Sequence, residues 1–344
     1  MFHSILRVMA EYISSFITGF QNVVSNNLPL QLKGCKILGV YDGLIHYVYN
    51  GNSRDIEKII YFNNTFFVLK IMKGKSATFP AMVAAVSSEK KYYLINKGSF
   101  RVRFIQENQF AKVDKNLVRK AEDTVLSNSK LKIDRVSPDT EIWYSIRREG
   151  FAFCGQLISK REFTEKNLNK GELRPEIAYL ICSFAGPSAE GEDIISDPFC
   201  GYGAIPVQLA KKFRFKKLLI SDIDEEKIKM VSQKKQFLDN ERTEVFVEDA
   251  LTAQHIADKS VDLVITDPPW GYYEDIGDIS VFYDKMFASF SRILSQKGRA
   301  VILSARKDEI EKAASKAGFT LEDSLHTLVN GKKASLYLYR YSGR

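Results

Sequence analysis

The sequence has 344 residues, which exceeds a typical single domain of roughly 100–200 residues, and 45% of them are hydrophobic, so two or three domains with full cores are expected. Its four cysteines have no C-x-x-C spacing, which argues against a zinc ribbon or a disulfide framework and favours a reducing, cytoplasmic setting. The histidines are dispersed and no apolar run reaches about 18 residues, so neither a metal site nor a membrane span is predicted.

The formal net charge of +8 is distributed unequally along the chain. Residues 1–175 contain 27 Lys and Arg against 16 Asp and Glu, whereas residues 176–344 contain 23 against 26. This distribution predicts that the N-terminal half binds a polyanion and that the C-terminal half supplies a nearly neutral catalytic part. The alternative is a basic surface that is only solvated.

The N-terminal half contains the patterns of a strand, a basic helix and a hairpin, in that order. Residues 99–105 alternate as a half-buried strand, and a basic helix follows over about 114–126. Residues 140–146 and 151–158 then predict a hairpin around a turn at 147–150. Trp143 alternates with apolar neighbours, which favours a place in the core over a base-stacking role. The charged and polar residues 161–171 predict a linker.

A glycine-containing loop begins the C-terminal half. A short apolar strand ends at Asp197, and Gly201 and Gly203 precede an amphipathic helix. The glycines allow the backbone to approach a ligand closely, and the helix start offers unpaired N–H groups. Pro206 stands where a dinucleotide fold needs its third glycine, which argues against a nicotinamide or flavin cofactor. Asp197 suits a ligand with a positively charged end.

Acidic residues also follow the next two predicted strands. Asp222 ends the second strand, where a carboxylate accepts hydrogen bonds from the ribose hydroxyls of an adenosine. Asp224 is the better N-cap for a helix predicted over 225–240, so Asp222 is expected to remain free for the ribose. Asp249 follows the strand at 244–247 and can accept from an adenine amino group, although it could equally be a helix-capping residue.

The strand at 261–266 is followed by Asp267-Pro268-Pro269-Trp270. The prolines leave nearby carbonyls without intrastrand donors, and the aromatic side chain offers a stacking face. An acid, free carbonyls and a flat ring can hold a planar exocyclic amine, whereas the alternative is a rigid turn. Because a ligand of a doubly wound sheet lies outside the carboxyl ends of the strands, Asp197, Asp222, Asp249 and Asp267 are expected to face one crevice.

The remaining C-terminal patterns complete an α/β domain. Helices are predicted around 282–294 and 308–317, with a strand at 299–303 between them. Strands at 320–328 and 334–341 are separated by Asn330-Gly331, a strong hairpin signal.

These motifs resemble the class I S-adenosylmethionine-dependent methyltransferases that modify exocyclic amines. The resemblance implies a Rossmann-like, seven-stranded α/β domain with an edge hairpin and S-adenosylmethionine as cofactor. It implies catalytic roles for Asp267, Pro268, Pro269 and Trp270. It implies that the cofactor is bound by Asp197, Phe199, Gly201, Gly203, Asp222, Ile223, Asp249 and Ala250.

The N-terminal half resembles the ferredoxin-like and THUMP modules of RNA methyltransferases, with Pro138-Asp-Thr-Glu-Ile-Trp143 before the final strands. The resemblance implies a ferredoxin-like domain at 1–80, a THUMP-like RNA-binding domain at 81–160, a linker at 161–175 and a methyltransferase domain at 176–344. The family implied is that of guanine-N2 methyltransferases acting on structured RNA, with tRNA the expected substrate. A monomer is expected, and the need for a small activating subunit is left open.

One residue departs from that family, because tyrosine or phenylalanine usually follows the two prolines and this chain has Trp270. Three alternatives therefore stay open. A DNA or RNA amino-methyltransferase acting on adenine N6 or cytosine would share the motif, but residues 271–282 leave little room for the usual target-recognition insertion. A protein-glutamine methyltransferase normally has asparagine at the first position of this motif and tyrosine at the last, so Asp267 and Trp270 disfavour that alternative. A noncatalytic RNA-binding protein with a methyltransferase fold is the third.

Overall fold

The computed structural model describes residues 10–74, 77–161, 168–237, 240–272 and 276–343. The chain divides into two compact units. One comprises the described residues of Met1–Phe16 and Ser25–Glu162, and the other those of Ile17–Val24 and Phe163–Arg344. No helix among the described residues combines the length and apolar character needed to cross a membrane.

The first unit is built on one mixed sheet, which in the described residues has the strand order β2-β3-β1-β4-β9-β8-β5-β6, with β7 beside β5. The hairpin predicted at 140–158 is confirmed as β8 and β9, and the strand at 99–105 as β5. The elements up to residue 160 are β1 Glu11–Ser15, α1 Gln21–Gln31, β2 Lys36–Tyr41, β3 Leu44–Val48, α2 Ser53–Glu57, β4 Asn64–Lys73, α3 Phe79–Ser87, β5 Ser99–Gln106, β6 Gln109–Phe110, α4 Lys115–Asn128, β7 Lys132–Ile133, β8 Thr140–Ile146 and β9 Phe151–Lys160.

This sheet is continuous across the domain boundary predicted at residue 80, since β4 pairs with β9 in antiparallel register. The basic helix predicted at 114–126 is confirmed as α4, and the side chain of Asp114 caps it by accepting the N–H of Asn116. Trp143 is partly buried, as predicted: its ring lies 5.0 Å from that of Phe66, and its indole N–H donates to Glu141 Oε2 at 2.5 Å.

The second unit contains a seven-stranded sheet of order β12-β11-β10-β13-β14-β16-β15 in the described residues. Strands β10 to β14 pair in parallel, and β16 lies antiparallel between β14 and β15. The α/β fold class predicted for this half is confirmed. Its elements are α5 Pro175–Ala185, β10 Ile194–Asp197, α6 Ala204–Lys212, β11 Lys217–Asp222, α7 Glu225–Ser232, β12 Thr243–Val247, β13 Val261–Thr266, α8 Ile279–Ile293, β14 Leu294–Ser304, α9 Lys307–Lys316, β15 Phe319–Val329 and β16 Lys332–Tyr341.

Strand order reverses at β10, which pairs with β11 on one side and β13 on the other. In a parallel α/β sheet a ligand crevice opens outside the carboxyl ends of the strands at such a switch point. The sheet is held on one face by α8, whose Tyr283, Phe287 and Phe290 are fully buried. The predicted cofactor loop and amine motif follow the two strands that flank the switch point.

The helix predicted over 225–240 ends much earlier, so that prediction was wrong at its C-terminal end. After Ser232 the chain makes tight turns, in which Lys234 N–H donates to Val231 O at 3.0 Å and Phe237 N–H to Lys234 O at 2.9 Å. These turns bring the chain back to begin β12 beside β11. Residues 238–239 and the linker residues 162–167 lie outside the described residues.

Candidate active site

Asp197 lies at the end of β10 and is almost fully buried, with 1% of its surface exposed. Thr266 Oγ1, at the end of β13, donates to Asp197 Oδ1 at 2.8 Å, so the two strand ends are tied together. The pKa of Asp197 is raised to about 8, mainly by burial and less by the nearby Asp222 and Asp267 carboxylates, although hydrogen bonds from Thr266 and the Phe199 backbone lower it in part. A buried carboxyl of this kind gains most from a cationic partner, which would restore its ionised form.

The loop between β10 and α6 requires its two glycines, because Gly201 and Gly203 have φ of 53° and 80°. A Cβ on Gly201 would meet nothing within 4 Å, so this backbone borders open space. A Cβ on Gly203 would lie 3.2 Å from Val231 Cγ2, so this glycine packs against α7. Phe199 is partly buried in the same loop, with its ring 5.8 Å from that of Phe282.

Asp222 is buried and already hydrogen-bonded, which corrects the expectation that its side chain is free. Its Oδ2 accepts the N–H of Gly201 at 2.8 Å, and its Oδ1 accepts the N–H of Asp224 at 3.0 Å. Because an ionised carboxylate has about four acceptor positions, these two bonds orient it and still leave capacity for ribose hydroxyls. Asp224 caps α7 as predicted, accepting from Glu226 and Lys227.

The other predicted cofactor residues lie beyond β11 and β12. Ile223 is 69% exposed, an unusual exposure for a large apolar side chain next to a buried acid, and it offers a flat ring an apolar surface. Asp249 Oδ1 accepts the N–H of Leu251 at 2.9 Å, which stabilises the turn after β12. Ala250 is buried beside it, with 3% exposed. These positions fit an adenosine-containing cofactor.

The amine motif follows β13, and its acid and aromatic residues contact each other. The indole N–H of Trp270 lies 3.0 Å from Asp267 Oδ1 and 3.2 Å from the carbonyl oxygen of Leu303. Burial raises the pKa of Asp267 and the hydrogen bond from Trp270 lowers it in part, with a net value of about 7. Pro268 between them is buried. Trp270 therefore has a hydrogen-bonding role that its predicted stacking role did not include.

Three residues that the sequence analysis missed support this motif. The hydroxyl of Tyr283 donates to Pro269 O at 3.3 Å and lies 3.0 Å from Ser304 Oγ. Arg306 Nε donates to the carbonyl oxygen of Trp270 at 2.8 Å. Ser304 is the last residue of β14, the strand paired in parallel with β13, and Arg306 lies two residues beyond it. The carboxyl-end rule that predicted the four acids could have identified both of them.

No group of three or more His, Cys, Asp or Glu side chains within the described ranges could hold a metal ion. Cys200, inside the glycine loop, is buried and its pKa is raised well above the ordinary value by burial. A thiol of this kind stays protonated and is a poor nucleophile.

The strand order, the glycine loop after the first parallel strand and the acids at successive strand ends define a class I methyltransferase fold. Residues 161–333, about half of the chain, match the family described as RMKL-like, methyltransferase domain. The chain belongs to this family.

Individual proteins extend the comparison. The tRNA (guanine(10)-N2)-dimethyltransferase of Methanothermobacter thermautotrophicus is 29% identical over 149 residues, which are 41% of this chain and 43% of that protein, so the match spans less than half of the curated relative. The structure of TrmN from Thermus thermophilus has 17% identity and a TM-score of 0.77, covering 96% of this chain and 99% of that one. The structure of SMU.472 complexed with SAH has 14% identity and a TM-score of 0.69, covering 98% and 99%. These structures share the fold over nearly the whole chain.

Proposed function

We propose that this protein transfers a methyl group from S-adenosylmethionine to the exocyclic N2 amine of a guanosine in structured RNA, with tRNA as its substrate. The observation that carries the proposal is the hydrogen bond from Thr266 to Asp197. It joins the end of β13, which the amine motif follows, to the end of β10, which the glycine loop follows. Membership in a methyltransferase family supplies the reaction class. The named tRNA relative supports guanine N2 as the target.

In this proposal each acid at the sheet edge has one role in binding the cofactor. Asp222, oriented by two backbone N–H groups, accepts from the ribose hydroxyls. Asp197 would bind the ammonium group of the cofactor, whose positive charge would favour the ionised carboxylate. Ile223 covers a face of the adenine, and Asp249 accepts from its amino group. When bound, S-adenosylmethionine supplies a sulfonium methyl group that is already strongly electrophilic.

The protein's task is then to position the nucleophile. An aromatic amine is a weak nucleophile because its lone pair is delocalised into the ring. Asp267 and the carbonyl of Pro268 accept the two amine N–H bonds, which favours a pyramidal nitrogen with its lone pair directed at the methyl group. Asp267, with a pKa of about 7, is suited to take the proton that nitrogen releases. A base within a helix must be flipped out, at a cost of a few kcal/mol.

The substrate class rests on charge and on the N-terminal unit. Residues 1–175 hold 27 basic against 16 acidic residues, and a surplus of this size favours a polyanion. We assign residues 81–160 to a THUMP-like RNA-binding domain and residues 1–80 to a ferredoxin-like domain. The enzyme in this proposal acts as a monomer in the cytoplasm.

The test is the identity of the product. Purified full-length protein incubated with an unmodified tRNA transcript and labelled S-adenosylmethionine should yield N2-methylguanosine, identified by mass spectrometry of the nucleosides. Asp267→Asn should yield no product while calorimetry shows nearly unchanged cofactor affinity. Recovery of N6-methyladenosine, or stronger labelling of duplex DNA than of tRNA, would overturn the substrate assignment. Loss of cofactor binding in Asp267→Asn would overturn the placement of Asp267.

A further inference from the structure

The side chain of Arg306 lies against the residues that follow the amine motif. Its Nε donates to the carbonyl oxygen of Trp270 at 2.8 Å, and its guanidinium carbon lies 4.7 Å from the ring centroid of Tyr272. The ring of Tyr272 is itself 47% exposed and lies 6.4 Å from that of Trp270. Lys332 Nζ is 4.3 Å from the Tyr272 centroid, so a second cation contacts the same ring. Among the described residues, two cationic side chains therefore contact the aromatic ring that follows the amine motif.

The hydrogen bond to the Trp270 carbonyl oxygen orients Arg306 and leaves its other N–H donors available. A guanidinium has five N–H donors, and the bond to Trp270 uses the one on Nε. Glu309 is the nearest acid in the described part of the chain, with Oε1 at 3.9 Å from Nη1, which is beyond hydrogen-bonding distance. The side chain is 28% exposed, so part of it can be reached from solution. Arg306 therefore presents a planar fork whose direction is fixed by a backbone carbonyl and an aromatic ring.

We propose that Arg306 binds a phosphate of the substrate RNA next to the target nucleotide and so holds the flipped base at Asp267. The inference rests on the proposed function, because it requires a nucleic acid as substrate. A planar guanidinium fork matches two phosphate oxygens, and charge-assisted bonds of this kind are about twice as strong as neutral ones. A flipped nucleotide rotates about its backbone, so its own phosphates are the groups that must be fixed when the base enters a pocket.

A purely structural role is the competing explanation. In that case Arg306 only braces the loop through Trp270 and Tyr272, and its loss would lower activity by the same factor at every salt concentration. A phosphate contact predicts a different salt dependence, because each phosphate neutralised contributes roughly 0.7 to 0.9 to the slope of log affinity against log salt concentration. The salt slope therefore distinguishes a phosphate contact from a purely structural role, even where replacing Arg306 lowers activity in either case.

The experiment measures kcat/KM for an unmodified tRNA transcript over a range of salt concentrations, with full-length protein and saturating cofactor. The variants are Arg306→Gln, Arg306→Lys and the control Lys312→Gln, since Lys312 is exposed on α9. We expect Arg306→Gln to lower kcat/KM by at least about tenfold at low salt, as loss of a hydrogen bond to a charged group does. Its salt slope should be shallower by about 0.7 to 0.9. Arg306→Lys should retain most of the slope because it keeps the charge, and Lys312→Gln should match the wild type.

Parallel salt slopes for Arg306→Gln and the wild type, on an RNA that the wild type methylates, would overturn the phosphate contact and leave the proposed function intact. A shallower slope in Lys312→Gln as well would overturn it too, because the effect would then belong to the general charge of the surface. Absence of RNA methylation by the wild type would instead refute the proposed function itself.

Discussion

The carboxyl of Asp267 has a pKa raised by burial from 3.8 to about 7, which couples turnover to pH. If the ionised form accepts the amine N–H bonds, log kcat should rise with a slope of about one as pH increases toward 7 and then level off. The measurement is kcat at saturating RNA and cofactor between about pH 5 and 9. Saturating cofactor is used because Asp197, whose pKa is raised to about 8, is proposed to pair with the cofactor's ammonium group, which would keep that carboxyl ionised.

The same shift affects stability in the opposite direction. Because the folded state favours neutral Asp267, its contribution to the free energy of unfolding is fully present below about pH 4 and is lost as pH rises through about 7. Asp267→Asn has no carboxyl to titrate at this position, so its melting temperature should fall less than that of the wild type as pH rises between these limits. A kcat profile in the wild type that is flat from pH 5 to 9 would contradict the role given to Asp267.

Residue-scale predictions from the sequence were best where the local pattern dictates the contact. The capping role of Asp224 follows from its position before α7, and the structure confirms it. The two bonds that Asp222 accepts were not predicted, because one comes from Gly201 on a different strand connection. The local sequence shows which residue types stand at a strand end. It does not show which backbone N–H groups from other parts of the chain lie close to them. The cofactor role of Asp222 stays a prediction.

At the scale of elements, the two glycines of the loop before α6 should respond differently to substitution. Both have positive φ, so alanine costs each roughly 1–2 kcal/mol of strain. Gly203→Ala adds a contact of 3.2 Å with Val231 Cγ2, so it should lower the melting temperature further. Gly201→Ala meets nothing within 4 Å and places its methyl group where the cofactor is proposed to lie.

The two variants are therefore expected to differ in which property suffers more, cofactor affinity or melting temperature. Gly201→Ala should weaken cofactor binding in calorimetry by about tenfold or more with the smaller loss of melting temperature, and Gly203→Ala should show the larger thermal loss. Equal cofactor affinity in the wild type and Gly201→Ala would mean that the open space beside this glycine is not the cofactor site.

Elements with strong local signals were predicted well. The hairpin of β15 and β16 was predicted from Asn330-Gly331, and the structure confirms it, with φ of 50° and 78° at the two turn residues. The end of α7 was mispredicted, because its stop is set by the need to pair β12 with β11 and no glycine or proline marks it. Ser304 and Arg306 were missed because the carboxyl-end rule was not applied to β14, the strand beside β13. Tyr283 was missed because it reaches the motif only through the packing of α8, where its hydroxyl contacts Ser304.

At the scale of the whole molecule, the unequal charge of the two halves predicts where RNA affinity resides. Helix α4 has buried residues Ala121 and Val125 on one face and basic residues on its exposed surface. The exposed basic residues are Lys115, Arg119 and Lys120. Because α4 belongs to the unit with the basic surplus, these three are expected to contact RNA phosphates if that unit binds the substrate.

Changing all three to glutamine in the full-length protein should make the slope of log affinity for tRNA against log salt concentration shallower by up to about 2 to 3, at roughly 0.7 to 0.9 for each phosphate that is no longer neutralised. Cofactor affinity measured by calorimetry should stay unchanged. A matched control removes the same charge from the catalytic unit by changing three exposed lysines there, Lys211, Lys212 and Lys312, to glutamine. If the control lowers the slope as much as the α4 variant, affinity follows total charge, and the basic N-terminal half is only a solvated surface.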